Sequence, residues 1–204
     1  MKWIELSKIR RVRYFLIMLF TLLSGLASAD SKLDCYKLFY SREFEAARPA
    51  CAIAAGDGHA YGKYLLGVMH LRGLAGPKQE KAGMALIAEG AEAGISDAQR
   101  DLGMGYRLGV GLPVDYERAL YWYKKSAAAN NYLAMSELAG MYLLGLGTKE
   151  DPERGYAYAT LSADRGNEKA KLLLKQIDSS PEITEDFKKR AKKIRDEIES
   201  TIGR

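Results

Sequence analysis

The chain has 204 residues, of which 48% are apolar, enough for one domain with a continuous core. Its net charge of +5 would suggest a nucleic-acid or anionic-surface partner. However, five basic residues and one acidic residue among the first 29 carry most of that charge and leave about +1 for the remainder, which excludes nucleic acid as the expected partner.

Residues 1–29 read as a secretory signal peptide. Lys2, Lys8, Arg10, Arg11 and Arg13 form a basic start, Tyr14 to Leu26 is an apolar run of 13 residues, and Ala27-Ser28-Ala29 fits a small-residue cleavage site before Asp30. The run is short for a membrane span, which needs about 20 apolar residues. An uncleaved N-terminal anchor is the alternative. Cys35 follows Leu33-Asp34 rather than the apolar run, which argues against a lipid anchor. The expected location is the periplasm or the medium, with no membrane span after cleavage.

Residues 30–57 read as an N-terminal cap, a partial repeat. Leu33 to Tyr40 predicts a shortened first helix. Glu43-Phe44-Glu45-Ala46-Ala47 predicts the start of a second, closed by Ala54-Ala55 and Gly58. Pro49 removes a donor and crowds the preceding turn. The helix therefore either starts near Arg48 or kinks there. Cys35 and Cys51 are the only cysteines, and an even count in an exported chain predicts that they are joined. A zinc site would want four ligands, and His59 and His70 lack the usual spacing, so no metal is expected.

From 58 to 177 the sequence repeats every 36 residues. Gly58, Gly94, Asn130 and Gly166 close one helix of each unit, and Gly62, Ala98, Ala134 and Ala170 open the next. Leu66, Leu102, Leu138 and Leu174 keep the step, as do His70, Tyr106 and Tyr142, and then Gly73, Gly109 and Gly145. Leu86, Trp122 and Tyr158 share a phase on the second helices, so Trp122 is expected to be a buried packing residue. Asp115 and Asp151 stand where a second helix needs an N-cap oxygen. A fixed period in this range means stacked helix pairs. Residues 178–204 predict a C-terminal capping helix. Its start is expected at Ser179-Ser180-Pro181-Glu182, with a Ser N-cap and Pro in the first turn, and Phe187, Ala191, Ile194 and Ile198 follow at helical spacing. The basic run Lys188 to Lys193 is interleaved with acids and reads as a solvated face. Thr201 to Arg204 is expected to fray.

The run Ala98-Leu102-Gly103-Tyr106-Gly109-Gly111-Asp115-Ala119-Trp122 resembles the Sel-one-like repeat (SLR), an α/α relative of the tetratricopeptide repeat. Ala134, Leu138, Tyr142, Gly145, Gly147 and Asp151 follow the same pattern, with Tyr158 for the Trp. The first unit departs from it at Gly62, His70 and Ala75. The resemblance runs from Phe44 to Leu174. It implies an all-α, right-handed α/α solenoid of about three full helix pairs, and an adaptor role in assembling complexes at or near a bacterial envelope.

Nothing in the sequence marks a catalytic site. There is no phosphate loop, no G-x-S-x-G, and no His pair at metal-binding helical spacing. Gly109-Val110-Gly111 lies between helices. No cofactor is expected. The reading is a non-catalytic scaffold, monomeric on its own, with an unknown protein or peptide partner. The expected contacts are the non-motif positions of the first helices, Tyr64, Arg100, Met104, Arg107, Met135 and Met141, since Met and Arg are enriched at interfaces. One alternative is a cell-wall or β-lactam hydrolase, after cysteine-rich members of the resembled family. Those carry a cysteine pair in each repeat, which this chain lacks, and neither Ser126 nor Ser136 has a Lys in an S-x-x-K pattern. The other alternative is an inhibitor or immunity factor for a neighbouring protein.

Overall fold

A computed structural model describes residues 32–202, so the signal segment and its cleavage site lie outside the described residues. Ten helices follow one another among the described residues. They are α1 (32–40), α2 (Phe44–Gly56), α3 (Ala60–Arg72), α4 (Glu80–Glu92), α5 (Ser96–Leu108), α6 (Tyr116–Ala128), α7 (Tyr132–Leu143), α8 (Pro152–Asp164), α9 (Glu168–Asp178) and α10 (Glu185–Glu199). No strand occurs among the described residues. The pairs α3–α4, α5–α6 and α7–α8 are the three full units, and from α2 to α9 each helix packs on the one that follows it, ending with α8 on α9. The architecture is an α/α solenoid.

Backbone dihedrals carry the period. The residues that end the second helices, Gly58, Gly94, Asn130 and Gly166, all have φ between 63° and 91°. The residues after the first helices, Gly73, Gly109 and Gly145, have φ of 68°, 72° and 64°. These left-handed positions stop each helix and reverse the chain. Starts are fixed by side chains. Asp115 accepts from the Arg118 N–H and Asp151 from the Arg154 N–H, each at 2.9 Å. Asn131 and Asn167 cap α7 and α9 in the same way.

The inter-helix loop then settles on the preceding unit. At Gly111 a Cβ would lie 2.6 Å from the Glu80 carbonyl oxygen, and at Gly147 one would lie 2.4 Å from that of Tyr116. Glu80 and Tyr116 each begin a second helix, so the α5–α6 and α7–α8 loops each rest on the head of the helix one unit back. Within a unit, Ser126 Oγ donates to the Ser96 carbonyl at 2.7 Å and Ser162 Oγ to that of Tyr132 at 2.6 Å. These bonds tie the end of a second helix to the start of its own first helix.

The cap obeys the same register, and its two cysteines are joined and fully buried. Pro49 neither starts nor breaks α2, which runs continuously from Phe44. Pro49 and Glu45 are both exposed, so the Glu45 carbonyl that loses its helical donor can meet water. At the other end α10 begins later than the Ser-Ser-Pro signal predicts. Residues 180–183 form a turn, and Thr184 caps α10 by accepting from the Phe187 N–H at 3.2 Å. The threonine wins because a cap must precede the apolar stripe by about one turn, and that stripe begins at buried Phe187.

α10 does not simply continue the stack. It packs on α8, one helix beyond its sequence neighbour, and runs in the same direction. Arg190 pairs with Glu153 near the start of α8, and Glu199 with Arg165 just past its end. Ile198 and Ile202 pack on the core shared by α6, α7 and α8, so the expected fraying stops short of Ile202. A second correction concerns Trp122. It is only half-buried, and its neighbour Tyr123 is the fully enclosed ring.

Gly147→Ala should cost ~2–5 kcal/mol, from an unfavourable left-handed φ and a clash with backbone. Gly140→Ala in α7, where a Cβ meets nothing within 4 Å, should instead stabilise by ~0.5–1 kcal/mol. Urea unfolding of the two variants beside wild type reads both.

His70 stands where the later units have tyrosine. Its Nδ1 is enclosed without a hydrogen bond, and burial together with the nearby Arg48 guanidinium holds its pKa below 6.5. The unfolded chain therefore takes up this proton first. This contribution to stability is complete above about pH 6.5 and declines as the pH falls through the folded value. His70→Gln should flatten the fall in melting temperature between about pH 7 and pH 5, and parallel curves for the two proteins would contradict it.

Candidate functional site

The first helices α3, α5 and α7 lie in one register, and their non-motif positions can be placed one by one. Tyr64, Met135 and Met141 are core residues and offer no contact surface; both methionines are essentially inaccessible. Each first helix is flanked by its own second helix and by that of the preceding unit. Two sides of it are therefore covered. Met135 is equivalent to buried Gln99 and Met141 to buried Gly105, on those covered sides.

Arg100, Met104 and Arg107 do share the remaining side of α5, all of them half-buried. The arginines are not free. Arg100 donates to Asp101 Oδ1 through Nη2 at 2.6 Å and Nε at 3.1 Å. Tyr64 donates its hydroxyl to Asp101 Oδ2 at 3.2 Å, and Asp101 is buried. Burial, together with the Asp101 charge, pushes the Tyr64 pKa up and keeps that hydroxyl a donor. Arg107 Nη2 lies 3.2 Å from Glu137 on α7, and its Nε donates to the Tyr123 hydroxyl at 3.4 Å. The Tyr123 pKa is pushed up to about 12 by burial and by the Glu137 charge. A polar seam thus crosses from α3 through α5 to α7, and each charge in it has an opposite partner.

Along this seam lie side chains that the sequence reading did not single out. Leu133 on α7 and Leu172 on α9 are exposed, Leu172 at 68%. Leu133 is one period beyond Asp97, and Leu172 two periods beyond Arg100. Shifting Arg100 by two repeats would have found Leu172, whereas Leu133 corresponds to no contact position. Gly140 leaves open space above the middle of α7. The face offers half-buried Met104, exposed leucines and a neutralised arginine–carboxylate row. That combination suits apolar contact with charged selectivity.

No group of three or more His, Cys, Asp or Glu side chains among the described residues could hold a metal ion. No helix among the described residues is long and apolar enough to cross a membrane. Ser126 is enclosed and donates to a backbone carbonyl.

No curated protein matches this chain. Solved structures do. A Sel1 repeat protein from Oxalobacter formigenes is 29% identical, with a TM-score of 0.59 over 65% of this chain and 39% of that one. A protective antigen of uropathogenic Escherichia coli that displays an SLR fold is 24% identical, with a TM-score of 0.66 over 74% of this chain and 33% of that one. The second likeness concerns the fold alone, and this chain spans only about a third to two fifths of the two solved chains. The family model for the Sel1 repeat matches residues 60–95, 96–131 and 133–167, more than half of the sequence, and this protein belongs to the Sel1 repeat family.

Proposed function

We propose that this chain is an exported, non-catalytic scaffold of the bacterial envelope that docks another protein or a peptide on the first-helix face. Sel1 repeat proteins are generally protein-interaction scaffolds. The observation that carries the reading is that Met104, Leu133 and Leu172 on successive first helices keep apolar side chains partly or wholly in solvent, on helices that the Arg107–Glu137 pair links. Arg100 is a positioning residue in this scheme, because it neutralises buried Asp101. Export rests on the basic start, the short apolar run and Ala27-Ser28-Ala29.

A variant with Met104→Ala, Arg107→Ala and Leu133→Ala, with Arg100 kept, should stay folded and lose about 1 kcal/mol per site, since Met104 is half-buried and Arg107 is held by Glu137 and Tyr123. It should lose most capture of a partner from envelope extract, since few residues dominate an interface. Equal capture by variant and wild type would refute the face. Turnover of a cell-wall or β-lactam substrate by the pure protein would overturn the non-catalytic reading. The exported protein should begin at Asp30, and N-terminal sequencing that finds Met1 would favour the anchor instead.

A further inference from the structure

The stack already contains one docked helix, its own α10, and the seat beneath it recurs one unit earlier, where no helix among the described residues fills it. In the occupied seat Tyr142 of α7 stacks on Tyr158 of α8 with ring centroids 5.7 Å apart, and both rings are buried. Ile194 and Ile198 of α10 and Ile202 just past its end face them across a cavity of about 390 Å³ that Lys124, Arg154 and Glu197 also line. Arg154 lies over the Tyr142 ring at 5.5 Å. One period earlier the same parts are Tyr106, Trp122 and Arg118. Arg118 lies over Tyr106 at the same 5.5 Å and donates to its hydroxyl at 3.3 Å. Here both rings are only half-buried and the Arg118 side chain is 65% exposed, against 40% for Arg154. Lys125 sits over Trp122 at 5.1 Å and adds a second cation. Glu117, the counterpart of Glu153, is exposed at the head of α6.

We propose that the Tyr106–Trp122 seat binds an amphipathic helix of another protein in the way the Tyr142–Tyr158 seat holds α10. The chemistry of the occupant can be read from α10. It has a basic residue one turn before an aliphatic stripe, to meet Glu117 as Arg190 meets Glu153. The stripe has three branched aliphatic residues spaced by four, as Ile194, Ile198 and Ile202 are. An acidic residue stands beside the middle one, as Glu197 does, to meet Arg118 and Lys125. Such a helix buries its stripe on the two aromatic rings and sets its acid beside Lys125 and beside Arg118, which shares its charge with Asp115 at 3.3 Å. A second copy of this chain is a poorer occupant, because its α10 is already seated in its own chain at high effective concentration. The seat lies between second helices, away from the Met104–Leu133 face. The proposal extends the scaffold reading to another surface, and its failure would leave capture by the first face unaffected.

The test is a fluorescein-labelled peptide with the sequence of residues 184–202, titrated against the full chain and followed by anisotropy. In a Trp3→Phe background Trp122 is the single tryptophan, and its emission reports the seat directly. Saturable one-to-one binding with a blue shift of Trp122 is expected. Arg118→Glu should weaken binding at least tenfold, Arg154→Glu should leave it within twofold, and a peptide carrying Glu197→Lys should recover most of the affinity for the Arg118→Glu chain. That recovery separates a lost charge contact from a damaged fold. No saturable binding would overturn the proposal, as would binding that leaves Trp122 emission unmoved. Loss confined to Arg154→Glu would also overturn it, because the peptide would then be displacing α10 from its own seat.

Discussion

The stack depends on a close approach between two stretches of backbone. At Gly111 and Gly147 the loop between the helices of a unit comes so near the head of the preceding second helix that no side chain fits between them. Glycine there supplies both a left-handed φ and the missing Cβ. Because the contact is backbone to backbone, it sets the distance between successive units without reference to the rest of the sequence. The core side chains, Met84, Ile87, Leu138 and Leu161 among them, then fill a space whose dimensions are already given. The first unit shows what happens when the rule is relaxed. Ala75 takes the glycine position at φ 55°, and Arg48 of the cap reaches over to donate to its carbonyl at 2.5 Å.

Buried polar groups reinforce the spacing rather than create chemistry. Ser126 and Ser162 each hold a helix-start carbonyl, and Asn167 adds a bond to Ser162 Oγ at 2.9 Å. Asp101 is buried between an arginine and a tyrosine hydroxyl. Removing either donor would leave a charge in a poorly solvated place, so these groups fasten α3 to α5 at one register. Inside the stack these two hydroxyls and this carboxylate are committed to holding it together.

Much of the fold was legible because the period is written in residues with single physical jobs. Gly58, Gly94 and Gly166 mark positive φ, Asp115 and Asp151 mark caps, and an alanine at each crossing marks close helices. The contact face was harder to read, because a first helix has two covered sides, and a residue's difference between units does not say which side it occupies. Met135 and Met141 vary from unit to unit and yet point inward, whereas Leu133 and Leu172 also vary and point out. Tyr123 was passed over for Trp122 because the repeat pattern favours the larger ring, while the helix phase puts the next residue at the centre. The start of α10 was misread for a related reason. Ser180-Pro181 is a good local start, but the first residue with somewhere to be buried is Phe187.

The seat of α10 changes how the chain must assemble. In a simple solenoid each helix needs only its immediate neighbours, so units can form and dissolve from an end. Here α9 has Ala170 as its single buried residue, a weak hold for a terminal helix. The helix after it skips back to α8, and Ile198 near its end and Ile202 just beyond it reach the core built by α6, α7 and α8. α10 therefore has nowhere to settle until α6, α7 and α8 stand together. Once seated, it makes the loss of the last helices a loss for the middle of the stack as well. A chain whose repeats alone would melt piecemeal is tied into one cooperative body by a helix that binds out of turn.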